Sequence, residues 1–276
     1  MKLLVLGTSS GAGKTTVAAM ICRYLHNKGE DVVPFKGSNL SLDCCRTADG
    51  GRIGVGQRFQ ALACGKEPQD DMNPVLLVPT APGCMDAYMD GNLDSHITRD
   101  SPLDRERARK HVHDAFRRLE SEHGFVVCEG SGSPAEINLY KTDLANTGLM
   151  RSVGVPAVLV GDIERGGVFA ALYGTWRLIP DDLKPLLRGF IINRFRGDGS
   201  ILRSGIEKVE ELTGMKCLGV LRYEYLRFPS EDSLSIEEGK LEGDDPEQAY
   251  LDNLDEMIRH AEESGFRFDL LEEMAR

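Results

Sequence analysis

The sequence predicts an α/β fold in which a mostly parallel β-sheet carries helices on both faces, and three observations lead there. Short apolar, β-rich runs alternate with longer stretches of helical period. The runs are apolar throughout instead of alternating with polar residues, as strands buried on both faces are. The first of them, Leu3-Leu4-Val5-Leu6, leads straight into Gly7-Thr8-Ser9-Ser10-Gly11-Ala12-Gly13-Lys14-Thr15-Thr16, and a helical pattern opens at Val17. A buried strand feeding a glycine-rich turn that opens a helix aims backbone N–H groups and the positive helix end at an anion. The fold class narrows to a P-loop NTPase-like one.

In chain order, strands are expected at residues 3–6, 32–35, 125–128, 157–160, 190–192 and 217–221, with helices near 14–27, 51–64, 104–122, 143–153, 166–178 and 200–213. In such a sheet ligands lie beyond the carboxyl ends of the strands, so the residues after each run are the ones to inspect. Residues 68–103, with Pro74, Pro79, Pro82 and Pro102, show no clear period and read as a long irregular loop. Residues 244–263 set Tyr250, Leu254, Met257, Ile258 and Ala261 at helical spacing opposite an acidic face, which predicts a docked helix rather than a free arm. The expected division is a P-loop ATP-binding domain over 1–238 and an acidic helical segment over 239–276.

Composition excludes several classes. Hydrophobic content of 41% and charged content of 28% are those of a soluble globular chain. No apolar run approaches the ~20 residues of a membrane span. Residues 1–6 are too short for a signal sequence, so a cytoplasmic location is expected. The net charge of −11 speaks against nucleic acid as a partner. Residues 231–276 hold 16 acidic and 4 basic side chains, a balance of −12, so the remainder is close to neutral and does not repel an anionic ligand. Seven cysteines without a Cys-x-x-Cys pair fit reduced thiols. Cys44 and Cys45 are adjacent and His111 and His113 two apart, spacings that point side chains away from each other, so no metal is expected besides a nucleotide's Mg²⁺.

The chemistry-bearing residues follow the strands. In the phosphate loop, Ser10, Gly11, Ala12, Gly13, Lys14, Thr15 and Thr16 would bind the triphosphate of ATP, with Lys14 on the β/γ-phosphates and the Thr15 hydroxyl on Mg²⁺. The usual spacing puts the first glycine at position 8; here Thr8 stands there and the glycine is Gly7. After the second run come Phe35-Lys36-Gly37, Asn39 and Thr47-Ala48-Asp49-Gly50-Gly51, and after the third Glu129-Gly130-Ser131-Gly132. Lys14, Lys36, Asp49 and Glu129 are thus the expected catalytic set. Asp49 and Glu129 would hold Mg²⁺ with Thr15, and the lysines would neutralise charge on a transferring phosphoryl group. Gly130-Ser131-Gly132-Ser133-Pro134-Ala135 also satisfies a dinucleotide fingerprint, but Pro134 and the absence of an acidic residue about twenty positions on count against NAD.

Several longer segments carry a resemblance. Thr47-Ala48-Asp49-Gly50-Gly51, Asp71-Met72-Asn73-Pro74-Val75-Leu76-Leu77, Ser133-Pro134-Ala135-Glu136-Ile137-Asn138-Leu139, Val160-Gly161-Asp162-Ile163, Arg165-Gly166-Gly167-Val168-Phe169-Ala170 and Gly189-Phe190-Ile191-Ile192-Asn193 closely resemble the ATP-binding domain of the cobyric acid synthase family, over residues 1 to about 238. The early glycine of the loop is also that family's, shared with dethiobiotin synthetases. The resemblance implies ATP-dependent amidation of carboxylates on a corrin or related tetrapyrrole ring through an acyl phosphate. It implies that Asn193 recognises adenine, and that Asn39, Ser133, Glu136, Asn138, Asp162, Arg165 and Gly166 line the substrate side. Cobyric acid synthases continue into a glutaminase domain that these 276 residues do not hold, so ammonia is expected from solution or from a separate glutaminase subunit. The expected partners are therefore a small polycarboxylate, that subunit and a second copy of the chain in a homodimer. The alternatives are a dethiobiotin synthetase-like ligase and a non-catalytic ATP-binding switch or partner subunit. Site-selection ATPases carry a second lysine where Ser9 stands here.

Overall fold

The computed structural model describes residues 1–227 and 244–276. Its centre is a six-stranded, all-parallel sheet of β1 (Lys2–Gly7), β2 (Val32–Phe35), β9 (Phe125–Glu129), β10 (Ala157–Asp162), β11 (Leu187–Phe195) and β12 (Lys216–Arg222). The strand order is β12-β11-β10-β1-β9-β2. All six expected runs are strands of this sheet, and a mostly parallel sheet between helical layers is the architecture.

Period-two alternation divides β1 between two cores. Leu4 and Leu6 point into one, with Val33, Phe35, Val126 and Phe190, beneath α3 (Arg105–Glu122), α4 (Thr147–Val153), α5 (Val168–Leu178) and α6 (Arg203–Thr213). Leu3 and Val5 point into the other, with Val127, Val158 and Ile191, beneath α1 (Lys14–Asn27), α2 (Val55–Ala63), α7 (Pro246–Glu263) and α8 (Phe268–Met274). Alternate side chains leave opposite faces of a strand, so a run apolar at every position has two cores to fill.

Residues 68–103 correct the expectation of an irregular loop. They contain β6 (Val75–Ala81), β7 (Cys84–Met89) and β8 (Asn92–Ile97), an antiparallel meander joined on its inner edge by β3 (Asn39–Leu40). The hairpin between β7 and β8 turns on Asp90-Gly91, both at positive φ (45° and 75°), the pairing that a two-residue I′-type turn demands. The other small ladder, β4 (Cys44–Arg46) with β5 (Arg52–Gly54), takes the start of the helix expected from residue 51, so that α2 begins at Val55.

Helix α7 docks as its periodicity predicts. Tyr250, Leu254, Met257, Ile258 and Ala261 are buried, and Tyr250 meets Phe59 of α2 edge-on at 5.0 Å. Arg23 of α1 grips Asp255 with two hydrogen bonds, of 2.8 and 2.7 Å, and Asn27 adds a third at 2.8 Å. The expected boundary between 238 and 239, and the end of the resembling stretch at residues 229–234, lie outside the described residues. Leu254→Ala is expected to cost about 2–5 kcal/mol and to lower the urea midpoint of one common transition; an unchanged midpoint would show that α7 is an appendage.

Candidate functional site

A parallel sheet delivers the carboxyl ends of its strands to one rim, and β1, β2, β9, β10 and β11 bring their following residues there. The loop after β1 explains the early glycine. A Cβ on Gly7 would stand 2.8 Å from Cγ of Lys14, so the lysine's stem lies across the last residue of the strand and only glycine leaves room. Lys14 is buried, and its Nζ donates to the Ser9 carbonyl at 3.0 Å. Gly13 caps α1 at φ 94° and offers no side chain to the helix's first N–H groups. Those N–H groups lack an intrahelical acceptor, which suits an incoming anion. Ser10 and Gly11 are exposed, Ala12 is buried, and Thr15 and Thr16 are half-buried.

Behind the loop sits one buried carboxylate. Glu129, 1% exposed, accepts hydrogen bonds at Oε1 from Thr15 Oγ1 and Lys36 Nζ, both at 2.7 Å, and at Oε2 from Gln60 Nε2 at 2.7 Å and Gln57 Nε2 at 3.4 Å. Burial alone would raise its pKa; the Lys36 charge, with hydrogen bonds from Lys36, Thr15 and Gln60, outweighs burial and holds the carboxyl below its ordinary value. Asn39 joins through Gln57, its Nδ2 donating to Gln57 Oε1 at 3.0 Å. Asn73, also buried, ties the surrounding segments: its Nδ2 donates to the Lys36 carbonyl at 3.0 Å, and its Oδ1 accepts from the Gly54 N–H at 3.1 Å.

The structure therefore brings Lys14, Thr15, Lys36, Asn39 and Glu129 to one place. Asp49 is exposed in the turn between β4 and β5. The Asp70 carboxyl is raised first by burial and then by the charges of Asp49, Asp71 and Asp90. Gln57, Gln60 and Asn73 escaped sequence reasoning. The signal was present for the first two, since positions three apart on α2 share a face.

The donor set fits Mg²⁺. The Thr15 hydroxyl spends its proton on Glu129, which keeps its oxygen as an acceptor, and an alcohol oxygen beside a carboxylate is hard-cation chemistry. Four donors fill the carboxylate's lone-pair directions, so Glu129 would ligate a metal directly only by releasing one, and Gln57 at 3.4 Å is the weakest held.

Next to this cluster a cavity of about 240 Å³ opens beside the ends of β2 and β9, with Ser38, Ser131, Ser133, Glu136, Arg105 and Leu144 in its wall. Asn146 shapes it, accepting from the Ser131 N–H at 3.0 Å and donating to the Ser131 carbonyl at 2.6 Å. Glu136 Oε1 accepts the Ser133 N–H at 3.1 Å. Of the expected substrate residues Ser133 and Glu136 line this cavity, while Asn138 is exposed on the single helical turn Ile137–Leu139. Asp162 pairs with Arg194 at 3.2 Å, and Arg165 and Gly166 are exposed in the turn that opens α5. Asn193 lies under the phosphate loop, its Nδ2 donating to the Ala12 carbonyl at 3.1 Å.

Among the described residues, no helix is long and apolar enough to cross a membrane. The family model described as CobQ/CobB/MinD/ParA nucleotide binding domain matches residues 3–234. A "Probable cobyric acid synthase" of Methanoculleus marisnigri is 47% identical over 237 residues, 86% of this chain and 48% of that protein. One of Methanococcoides burtonii is 45% identical over 276 residues, 99% of this chain and 55% of that protein. The chain thus spans about half the length of the curated relatives it matches. Among solved structures, the septum site-determining protein MinD complexed with Mg-ADP from Pyrococcus horikoshii is 18% identical, covering 81% of this chain and 82% of that chain at a TM-score of 0.43.

The Lys36–Glu129 pair makes a sharp stability test. Lys36→Met leaves an uncompensated buried carboxylate and is expected to cost about 3–5 kcal/mol in urea unfolding. Adding Glu129→Gln should return about 1–3 kcal/mol as coupling energy; additive losses would show that the two charges do not hold each other.

Proposed function

The chain belongs to the family of CobQ/CobB/MinD/ParA nucleotide-binding domains, and on that premise we propose that it is an ATP-dependent amidoligase acting on carboxylates of a corrinoid or related tetrapyrrole. The observation that carries the reading is the juxtaposition of two sites. The Lys14–Thr15–Glu129–Lys36 cluster stands at the phosphate loop, and Ser38 and Ser131, each two residues beyond a member of that cluster, line a cavity for a second reactant.

The cavity's size and walls support a carboxylated arm on a bulky body. A volume of about 240 Å³ is below that of a site enclosing a whole drug-sized molecule, so an arm enters and the body stays outside. Arg105 in the wall offers a cation to a carboxylate, and exposed Leu40 and Leu139 offer apolar surface to the body. In the proposed reaction a substrate carboxylate oxygen attacks the γ-phosphorus of ATP, the bond to the β-phosphate oxygen breaks, and ADP leaves. Ammonia then attacks the acyl carbon of the acyl phosphate, inorganic phosphate departs, and a proton is lost to leave the amide.

Within this chain Lys14 and Lys36 spread the charge of the transferring group, and Glu129 orients Lys36 and the Thr15 hydroxyl. Mg²⁺, held at Thr15 with Glu129 behind it, would supply charge neutralisation on the phosphates. Ammonia is the nitrogen nucleophile.

Incubation with ATP, Mg²⁺, an ammonium salt and carboxylated corrinoids or other tetrapyrroles, read by mass spectrometry, tests the proposal. Each amidation lowers the product mass by about one unit and releases one phosphate. Lys14→Ala should reduce turnover roughly 10²–10³-fold. Full activity in that variant, or phosphate release indifferent to the tetrapyrrole, would overturn the assignment.

A further inference from the structure

We infer that Asn193 is a positioning residue for the phosphate loop: its side-chain amide holds the loop backbone at Ala12 and Gly13 in the shape that receives a triphosphate, whatever base the nucleotide carries. The inference rests on nucleotide binding at this loop and is independent of the amidation chemistry.

Asn193 is 6% exposed, near the carboxyl end of β11. Its Nδ2 donates to the Ala12 carbonyl at 3.1 Å, and its Oδ1 accepts the Arg194 N–H at 2.9 Å. The two bonds together fix which way the amide faces, because exchanging its oxygen and nitrogen would oppose donor to donor and acceptor to acceptor. A Cβ on Gly13 would stand 2.1 Å from Nδ2, so the amide fills the space that a side chain at 13 would need. Glycine is thus required at 13 twice over, by this contact and by its φ of 94°.

The amide is itself held from behind. Arg194 adopts φ 63°, uncommon outside glycine, and this turn returns its N–H to the side chain preceding it. Its guanidinium reaches Asp162 Oδ2 at 3.2 Å on the neighbouring strand β10, and Asp162 Oδ1 accepts the Glu164 N–H at 2.8 Å. A line of contacts therefore runs from β10 through Arg194 and Asn193 to the loop. The loop needs such a brace because Gly11 and Gly13 both sit at positive φ, where glycine's freedom makes ordering costly, and α1 has no side-chain cap to fix its first turn. A loop ordered before the anion arrives binds it more tightly. One N–H of the amide remains, and recognition of adenine through it is the competing role.

Isothermal titration of the full chain with ATP and with inorganic tripolyphosphate, each with Mg²⁺, separates the two roles. Asn193→Ala is expected to weaken both ligands by a similar factor of about tenfold, or ~1.4 kcal/mol. It should also speed amide hydrogen exchange at residues 11–14 of the ligand-free protein. Weakened ATP with unchanged tripolyphosphate would assign Asn193 to the base and overturn the inference, as would unchanged binding of both with unchanged exchange. Asn193→Ser gives the same reading where the alanine variant does not fold. If the wild-type chain binds neither ligand, the nucleotide reading fails, while the exchange comparison still decides the brace.

Discussion

One buried ion pair organises the site: Lys36 on Glu129 at 2.7 Å, with the carboxylate almost wholly removed from water. Burying two charges costs several kcal/mol per ion, and the attraction between them offsets this only where every remaining lone pair is also met. Glu129 meets that condition through Thr15, Gln57 and Gln60. The pair therefore does more than place a lysine. It ties together the first turn of α1, the end of β2, one face of α2 and the end of β9, four segments that share no local sequence. An apolar pair would fill the same volume at less cost, but it would leave neither a cation beside the phosphate loop nor an acceptor for the Thr15 proton.

The parallel sheet makes this economical in chain. The registers Val5↔Glu129 and Phe35↔Cys128 set the ends of β1, β9 and β2 level, so Lys36, Glu129 and the phosphate loop meet without any long excursion. The same geometry on the other side of β1 pairs Asp162 with Asn193 across β10 and β11. Both flanks of the loop are thus built from residues at or near the carboxyl ends of strands. The β9 side carries the Lys36–Glu129 pair, and the β10–β11 side carries the Asn193 amide with the Asp162–Arg194 pair behind it.

Much of this was legible in the sequence because it depends on local pattern. The six runs are apolar at every position since each feeds two cores, and the loop's strand–turn–helix context is contiguous. Even the early glycine has a local cause, the stem of Lys14 lying on Gly7. What escaped depends on distant partners. The meander of β6, β7 and β8 hid because Pro79, half-exposed positions and two tight turns break any period over 68–103, although Asp90-Gly91 is a hairpin signal in its own right. Gln57 and Gln60 look like ordinary helix polar residues until β9 brings Glu129 to them. Asp49, a carboxylate followed by two glycines, lies in an exposed turn, and its charge acts on Asp70 together with those of Asp71 and Asp90.

The acidic surplus near the C-terminus takes on a different meaning once its partners are known. Asp255 is engaged by Arg23 and Asn27, Glu272 by Lys28 and Tyr24, and Glu247 by Arg58, so three of those acids answer residues on or at the end of α1 and on α2. Tyr24 also stacks on Phe268 of α8 at 3.9 Å. The helix being gripped is α1, whose other end opens the phosphate loop. A helix that must present its first N–H groups in fixed directions gains from being immobilised along its length, and α7 and α8 cover the face of α1 that the sheet leaves open. The apolar side of α7 is consumed in that contact, which leaves its acidic side outward and makes the segment part of the nucleotide fold's rigidity.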